Sequence, residues 1–120
     1  MLTNNQLKTY LNIFEDDTIT FFEYTNGYVR YNEVVRNFIS DCYKSDMMDT
    51  DYLTNLKKYL DENVNLSELI ESANIDLLKS ILTFYIRGER FCEGMIANSF
   101  KEKVFKRILS RLVFLENSKY

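Results

Sequence analysis

The sequence has no histidine, no proline, only three glycines and only two cysteines. Without histidine the commonest general base and the commonest transition-metal ligand are gone, and with them every Ser-His, Cys-His and His-rich metal scheme. Catalysis would have to rest on carboxylates, Lys, Tyr or Cys alone. Without proline, and with no Gly/Ser linker, internal repeat or low-complexity run, nothing divides residues 1–120 into two units, so one domain is expected. Cys42 and Cys92 lie far apart and show no CxxC or CxH spacing, which leaves a disulfide framework or a zinc site without support. No window approaches the ~18 apolar residues of a membrane span. The opening Met1-Leu2-Thr3-Asn4-Asn5 lacks the basic region and apolar core of a signal peptide. A cytoplasmic protein with no membrane partner is expected.

What is present is the balance of a globular chain: 46% hydrophobic and 28% charged residues over 120 positions, enough for a single core without staples. The net charge of −3 is unevenly placed. Residues 1–86 carry 7 basic and 14 acidic side chains, whereas residues 87–120 carry 8 basic and 4 acidic. Such a split marks either a partner surface or a solvated basic helix face. Nine Tyr and nine Phe residues are many for this length. Most fall at core spacing, and any tyrosine left on the surface would suit a protein interface.

The periodicity predicts a mainly α (α+β) fold: a helical bundle of five to seven helices with one two-stranded β-hairpin at about residues 18–32. Leu7, Tyr10, Leu11 and Phe14 form the apolar stripe of a first helix from Asn4 or Asn5 to Phe14. Thr18 to Tyr24 and Tyr28 to Asn32 are rich in β-branched and aromatic residues and are joined through Asn26-Gly27, the pair suited to a type I′ turn. That two-residue loop pairs Thr25 with Tyr28, Tyr24 with Val29, Glu23 with Arg30 and Phe22 with Tyr31. Phe22, Tyr24, Val29 and Tyr31 are then expected on the core side. Ile19, Phe21 and Tyr28 share the other face with a Glu23/Arg30 ion pair, either covered by helices or left as a surface for a partner.

Asn32 is placed to cap a helix from Glu33 to about Lys44. Thr50 or Asp51 opens a helix carrying Leu53, Leu56, Tyr59 and Leu60, and Asn65 with Glu68 resembles a capping box for a short helix through Ser72. Asn74 caps the most apolar segment, Ile75 to Ile86, which reads as the central buried helix, with Gly88 in the place of a left-handed C-terminal cap. A short helix near Glu93 to Phe100 and a last one near Glu102 to Glu116 complete the chain. In that last helix Lys103, Arg107 and Arg111 recur every four residues, with Lys106 beside them, as a basic ridge.

Chemistry has few places to reside. The densest polar cluster is Arg87-Gly88-Glu89-Arg90-Phe91-Cys92-Glu93-Gly94, between two helices that read as buried. Its arginines and glutamate are expected to neutralise one another in a structural ion network, since a bidentate Arg satisfies both carboxylates and helix-end carbonyls. The alternative is a small anion site with Arg87 and Arg90 as donors, and a third option is a carboxylate enzyme built around Glu89 and Glu93. The acidic pairs Asp16/Asp17, Asp49/Asp51 and Asp61/Glu62 lack the spaced pattern of an EF-hand, so no metal is expected. There is no Walker loop, GxGxxG or GxSxG, and Cys92 has no histidine to activate it; no cofactor is implied. For nucleic acid, Lys103, Lys106, Arg107 and Arg111 are the one credible footprint, although a sequence pI near 5.0 argues against a dedicated binder.

Arg87 to Gly94, followed by Ile108-Leu109-Ser110-Arg111-Leu112, resembles a family of small uncharacterised bacterial and phage-borne proteins with an RGERF-C-x-G core and a C-terminal I-L-x-R-L segment. The likeness also touches Leu11, Phe14, Glu15 and Asp16, and departs at Lys103, where that family usually has glycine. It implies no activity. It does imply a bacterial or mobile-element setting, and a joint role for Arg87, Glu89, Arg90 and Arg111. In size and composition the chain also looks like phage-encoded inhibitors of bacterial defence systems, anti-CRISPR proteins among them. The expected function is therefore a non-enzymatic protein-binding or regulatory module, with Phe21, Glu23, Tyr28 and Arg30 as partner surface. Nucleic-acid or anion binding through the basic C-terminal third is the alternative, and the oligomeric state, a homodimer included, is left open.

Overall fold

Short polar residues start most of the helices. In the computed structural model, which describes residues 1–118, α1 (Asn4–Phe14) begins at Thr3. The Thr3 side chain accepts from the Gln6 amide while the Gln6 side chain accepts from the Thr3 amide. That reciprocal box satisfies two amides that a helix start leaves without partners. A hairpin, β1 (Phe22–Thr25) and β2 (Tyr28–Tyr31), follows. Asn32 then accepts from Val35 N at 3.0 Å and opens α2 (Glu33–Lys44). Next come α3 (Tyr52–Asp61), a 3₁₀ helix (Leu66–Ser72), and α4 (Ile75–Gly88), which Asn74 caps by accepting from Leu77 N at 2.8 Å. The described chain closes with α5 (Met95–Lys101) and α6 (Val104–Asn117). The fold is thus mainly helical with one N-terminal hairpin.

The hairpin has the expected register, Phe22 opposite Tyr31 through Thr25 opposite Tyr28. Asn26 and Gly27 both take positive φ, 52° and 82°, as a type I′ turn requires. The first strand is shorter than the β-propensity of Thr18 to Phe21 suggests. The Asp16 carboxylate accepts from the Thr18 amide at 3.0 Å and the Thr18 hydroxyl at 2.6 Å, a local turn that competes with extension. The pairing continues one step past β2, where Asn32 N donates to Phe21 O at 2.9 Å and Asn32 Nδ2 to Thr20 O at 3.0 Å. One asparagine therefore closes the hairpin and starts the next helix.

The turn also redirects Phe21. Of the two outcomes open for its face, covered by helices or left for a partner, Phe21 takes the first: it is half-buried, stacked on Phe100 at 4.9 Å between ring centroids and edge-on to Phe14 at 5.4 Å. Phe22 reaches the same Phe100 ring at 6.3 Å. The base of the hairpin is thus covered on both faces. Its tip is not: Tyr24, expected to face the core, is 60% exposed and Tyr28 67% exposed. Glu23 and Arg30 face each other across the strands, both exposed, with no ion pair among the described residues.

One core serves all these elements. Phe38 of α2 meets Tyr10 and Phe14 of α1 and Phe105 of α6 at 5.0 to 5.4 Å, an aromatic cluster in edge-on and tilted geometry. As its apolar composition predicts, α4 is the most buried helix, and it packs on α3, α5 and α6. Its buried serine and threonine hydroxyls are used. Ser80 donates to Asp49 Oδ2 at 2.5 Å, while Thr83 donates to Lys79 O at 2.7 Å and accepts from Asp49 N at 2.8 Å, tying the loop before α3 to the helix.

Three expectations are corrected. Leu53 is 56% exposed, because only Leu56 of α3 turns fully inward. The segment after Asn65 winds as a 3₁₀ helix, with Asn65 Oδ1 accepting from the Ser67 amide two residues on and no box to Glu68. Gly88 is no left-handed cap. It is the last helical residue, and its missing side chain makes room for Met95, whose sulfur a Cβ there would overlap.

Candidate functional site

The RGERF-C-x-G segment connects α4 to α5, and Glu89 is its centre. Glu89 Oε2 accepts from Gly94 N at 2.9 Å, and Oε1 accepts from Ile96 N at 2.8 Å and from the Tyr31 hydroxyl at 2.9 Å. The Tyr31 hydroxyl in turn accepts from Ala97 N at 3.0 Å. The carboxylate thus satisfies the free amides at the start of α5, which has no side-chain cap of its own, and clamps the hairpin to them. Burial first, and then the bond to Glu89, pushes the Tyr31 phenol well above its ordinary pKa. Gly94 sits at φ +91°, a conformation that strains any side chain, with the Tyr24 hydroxyl and the Val29 methyl about 4 Å from the position of a Cβ.

This arrangement corrects the expected ion network. Glu89 bonds amides and a phenol, and neither Arg87 nor Arg90 comes within ion-pair distance of it or of any other acid among the described residues. Arg87 is half-buried; Arg90, Cys92 and Glu93 are exposed, and Phe91 projects with 84% of its surface open to solvent. The anchoring residues of the segment are Gly88, Glu89 and Gly94. Its arginines and phenylalanine point elsewhere.

The basic ridge of α6 is likewise divided. Arg107 makes a two-pronged pair with Glu71, Nε to Oε1 at 2.6 Å and Nη2 to Oε2 at 2.8 Å, and also donates to Ser67 O at 2.5 Å. Arg111 donates to Ala73 O at 3.0 Å and lies over the Phe114 ring at 5.1 Å. Both arginines hold the 3₁₀ helix onto α6. Arg111 is therefore not brought to Arg87, Glu89 and Arg90. Lys103 and Lys106, with Lys101, form no ion pair among the described residues and gather at a different cleft, beside Phe100.

Of the four residues expected as partner surface, Glu23, Tyr28 and Arg30 are exposed and Phe21 is packed inward. Tyr24 and Phe91 join them from positions where the spacing alone suggested core or turn. Tyr24 and Tyr28 lie at the hairpin tip and Phe91 in the 87–94 segment, and the Tyr31–Glu89 bond, with the Tyr24 hydroxyl about 4 Å from the Cβ position of Gly94, ties the hairpin to that segment. Among the described residues no group of three or more His, Cys, Asp or Glu is placed to hold a metal, and no helix is long and apolar enough to cross a membrane.

A family model described as "Family of unknown function (DUF6508)" matches residues 6–118. The chain belongs to this family. The match covers both the Tyr31/Glu89 clamp and the Arg107/Glu71 pair. No curated protein and no solved structure matches the chain.

Proposed function

We propose that this DUF6508 protein is a non-enzymatic binding module that docks another protein through the hairpin tip and the 87–94 segment. The observation that carries the reading is the set of three exposed rings, Tyr24 at 60%, Tyr28 at 67% and Phe91 at 84%, on a clamped and therefore preorganised scaffold. Exposed apolar side chains gathered in one patch mark interaction sites, and Tyr, Phe and Arg are enriched among the side chains of protein interfaces. Arg30, Arg87 and Arg90 form no ion pair among the described residues, which favours a partner surface that is apolar at its centre and acidic at its edge. In the bacterial or mobile-element setting that the sequence resemblance implies, the finer reading is an inhibitor or regulator of a larger assembly, a defence complex included.

The test compares proteins captured from a bacterial lysate by the intact chain, by Phe91→Ser with Tyr28→Ser, and by Lys101→Glu as a control outside the face. Both variants should keep the helical spectrum and melting temperature of the parent, because all three side chains are exposed. A specific band lost with the aromatic variant and kept with the control supports the reading. A band that survives loss of both rings, or the absence of any specific band, overturns it. Nucleic-acid binding is the weaker alternative, because two of its four expected contacts, Arg107 and Arg111, are engaged within the fold.

A further inference from the structure

A cleft of about 330 Å³ opens between the Phe14–Phe22 segment and the α5–α6 junction. Its floor is aromatic: Phe21 and Phe100 lie parallel, at 8° between ring planes and 4.9 Å between centroids, with Phe22 beside them. All three rings are half-buried, so each keeps part of its surface open to the cleft. The rim carries Lys101, Lys103 and Lys106, none of them paired with an acid among the described residues. Across from them stand Asp17 and Asp16, the latter already accepting two hydrogen bonds from Thr18.

We propose that this cleft binds a small aromatic anion, a flat apolar body bearing one carboxylate or sulfonate. The ring floor takes the apolar body, and the volume falls at the small end of ligand pockets, which suits a bicyclic molecule. The three ammonium groups outnumber the two carboxylates at the rim, so the cleft favours negative charge, and a lysine next to a partly desolvated anion makes a charge-assisted hydrogen bond. A neutral molecule of the same shape would leave the lysines as they are now. This site is separate from the aromatic end proposed to dock a protein and stands or falls independently of it.

The experiment titrates the nitrogen-15-labelled full chain with 2-naphthoate and, separately, with 2-naphthol, which has the same rings and is uncharged at neutral pH. Naphthoate should shift amides of Thr20 to Phe22 and Phe100 to Lys106 and bind at least ~10-fold more tightly than naphthol, the difference one charge-assisted bond supplies. Lys106→Glu should weaken naphthoate by about tenfold or more with the rest of the spectrum unchanged. The Lys101→Glu and Lys103→Glu pair, both at exposed positions, is the second variant should Lys106→Glu perturb the fold. Absence of shifts at these amides at millimolar naphthoate, equal affinity for naphthol, or unchanged affinity in the folded charge-reversed variants would each overturn the proposal.

Discussion

At the scale of single residues, environment separates side chains of the same type. Cys42 is fully buried, and burial first, with the neighbouring Asp41 charge second, pushes its thiol up to about 12. Cys92 is exposed in the 87–94 segment. Since the thiolate is the reactive form, a disulfide exchange reagent should modify one thiol per folded chain quickly and the second only in denaturant. Two rapid equivalents in the native protein would contradict the burial. Lys103 shows a different kind of constraint. It sits at φ 58° between α5 and α6, a left-handed conformation that costs a residue with a Cβ about 1–2 kcal/mol. Lys103→Gly removes that cost but loosens the unfolded chain, so a net stabilisation of about 0.5 kcal/mol is expected, seen as a higher melting temperature. Glycine is the residue this geometry favours.

At the scale of elements, caps and spacing located the helices, whereas long-range partners stayed hidden. Asn32 and Asn74 precede runs of helical apolar spacing, so their roles follow from position alone. The strand register followed from Asn26-Gly27 for the same local reason. What no periodicity could show is that Glu89 bonds residues 58 positions upstream and 5 and 7 downstream. The cluster around it is legible as important, but its nearest charges in sequence, Arg87 and Arg90, are not its partners, which are backbone amides and a phenol. A carboxylate close to free helix-start amides gains those bonds without immobilising a long arginine, which explains the outcome. Because Tyr31 and Glu89 share one network, their substitutions should not add. Tyr31→Phe is expected to cost about 1 kcal/mol and Glu89→Ala about 2–3 kcal/mol, since the latter strands two amides and a hydroxyl. The double variant should fall short of the sum by at least about 0.5 kcal/mol in denaturant unfolding. Strict additivity would show that the clamp does not couple hairpin to α5.

At the scale of the whole molecule, the uneven charge is partly consumed inside the fold. Glu71 of the acidic part holds Arg107 of the basic part, and the hydrogen bond from Arg107 is the largest influence on the Glu71 carboxyl; with a backbone hydrogen bond at Glu71 and, last, the Arg107 charge, it outweighs burial and keeps the group below its ordinary 4.5. For Asp49 burial acts to raise the pKa, yet hydrogen bonds from Ser80, Asn55 and the Asp51 amide outweigh it and leave the group below its ordinary 3.8. Both acids bind protons more weakly folded than unfolded, so their contribution is complete above about pH 4.5 and is lost as pH falls through the lower folded values. At the other end Tyr10, Tyr31 and Tyr85 are raised chiefly by burial, with Asp41 and Glu89 accepting from the first two. Raised phenols bind protons more tightly folded than unfolded, so that contribution is complete below about pH 10 and is lost on going above it. Thermal melts across pH should therefore show a plateau bounded by an acid fall beginning near 4.5 and an alkaline fall beginning near 10. Glu71→Gln should lower the plateau modestly, by about 1 kcal/mol or less because the pair is largely exposed, and should flatten the acid limb. Tyr31→Phe should flatten the alkaline limb and leave the acid one alone. If Glu71→Gln left the acid limb as steep as in the parent, the bridge between the acidic and basic parts of the chain would not be what acid breaks.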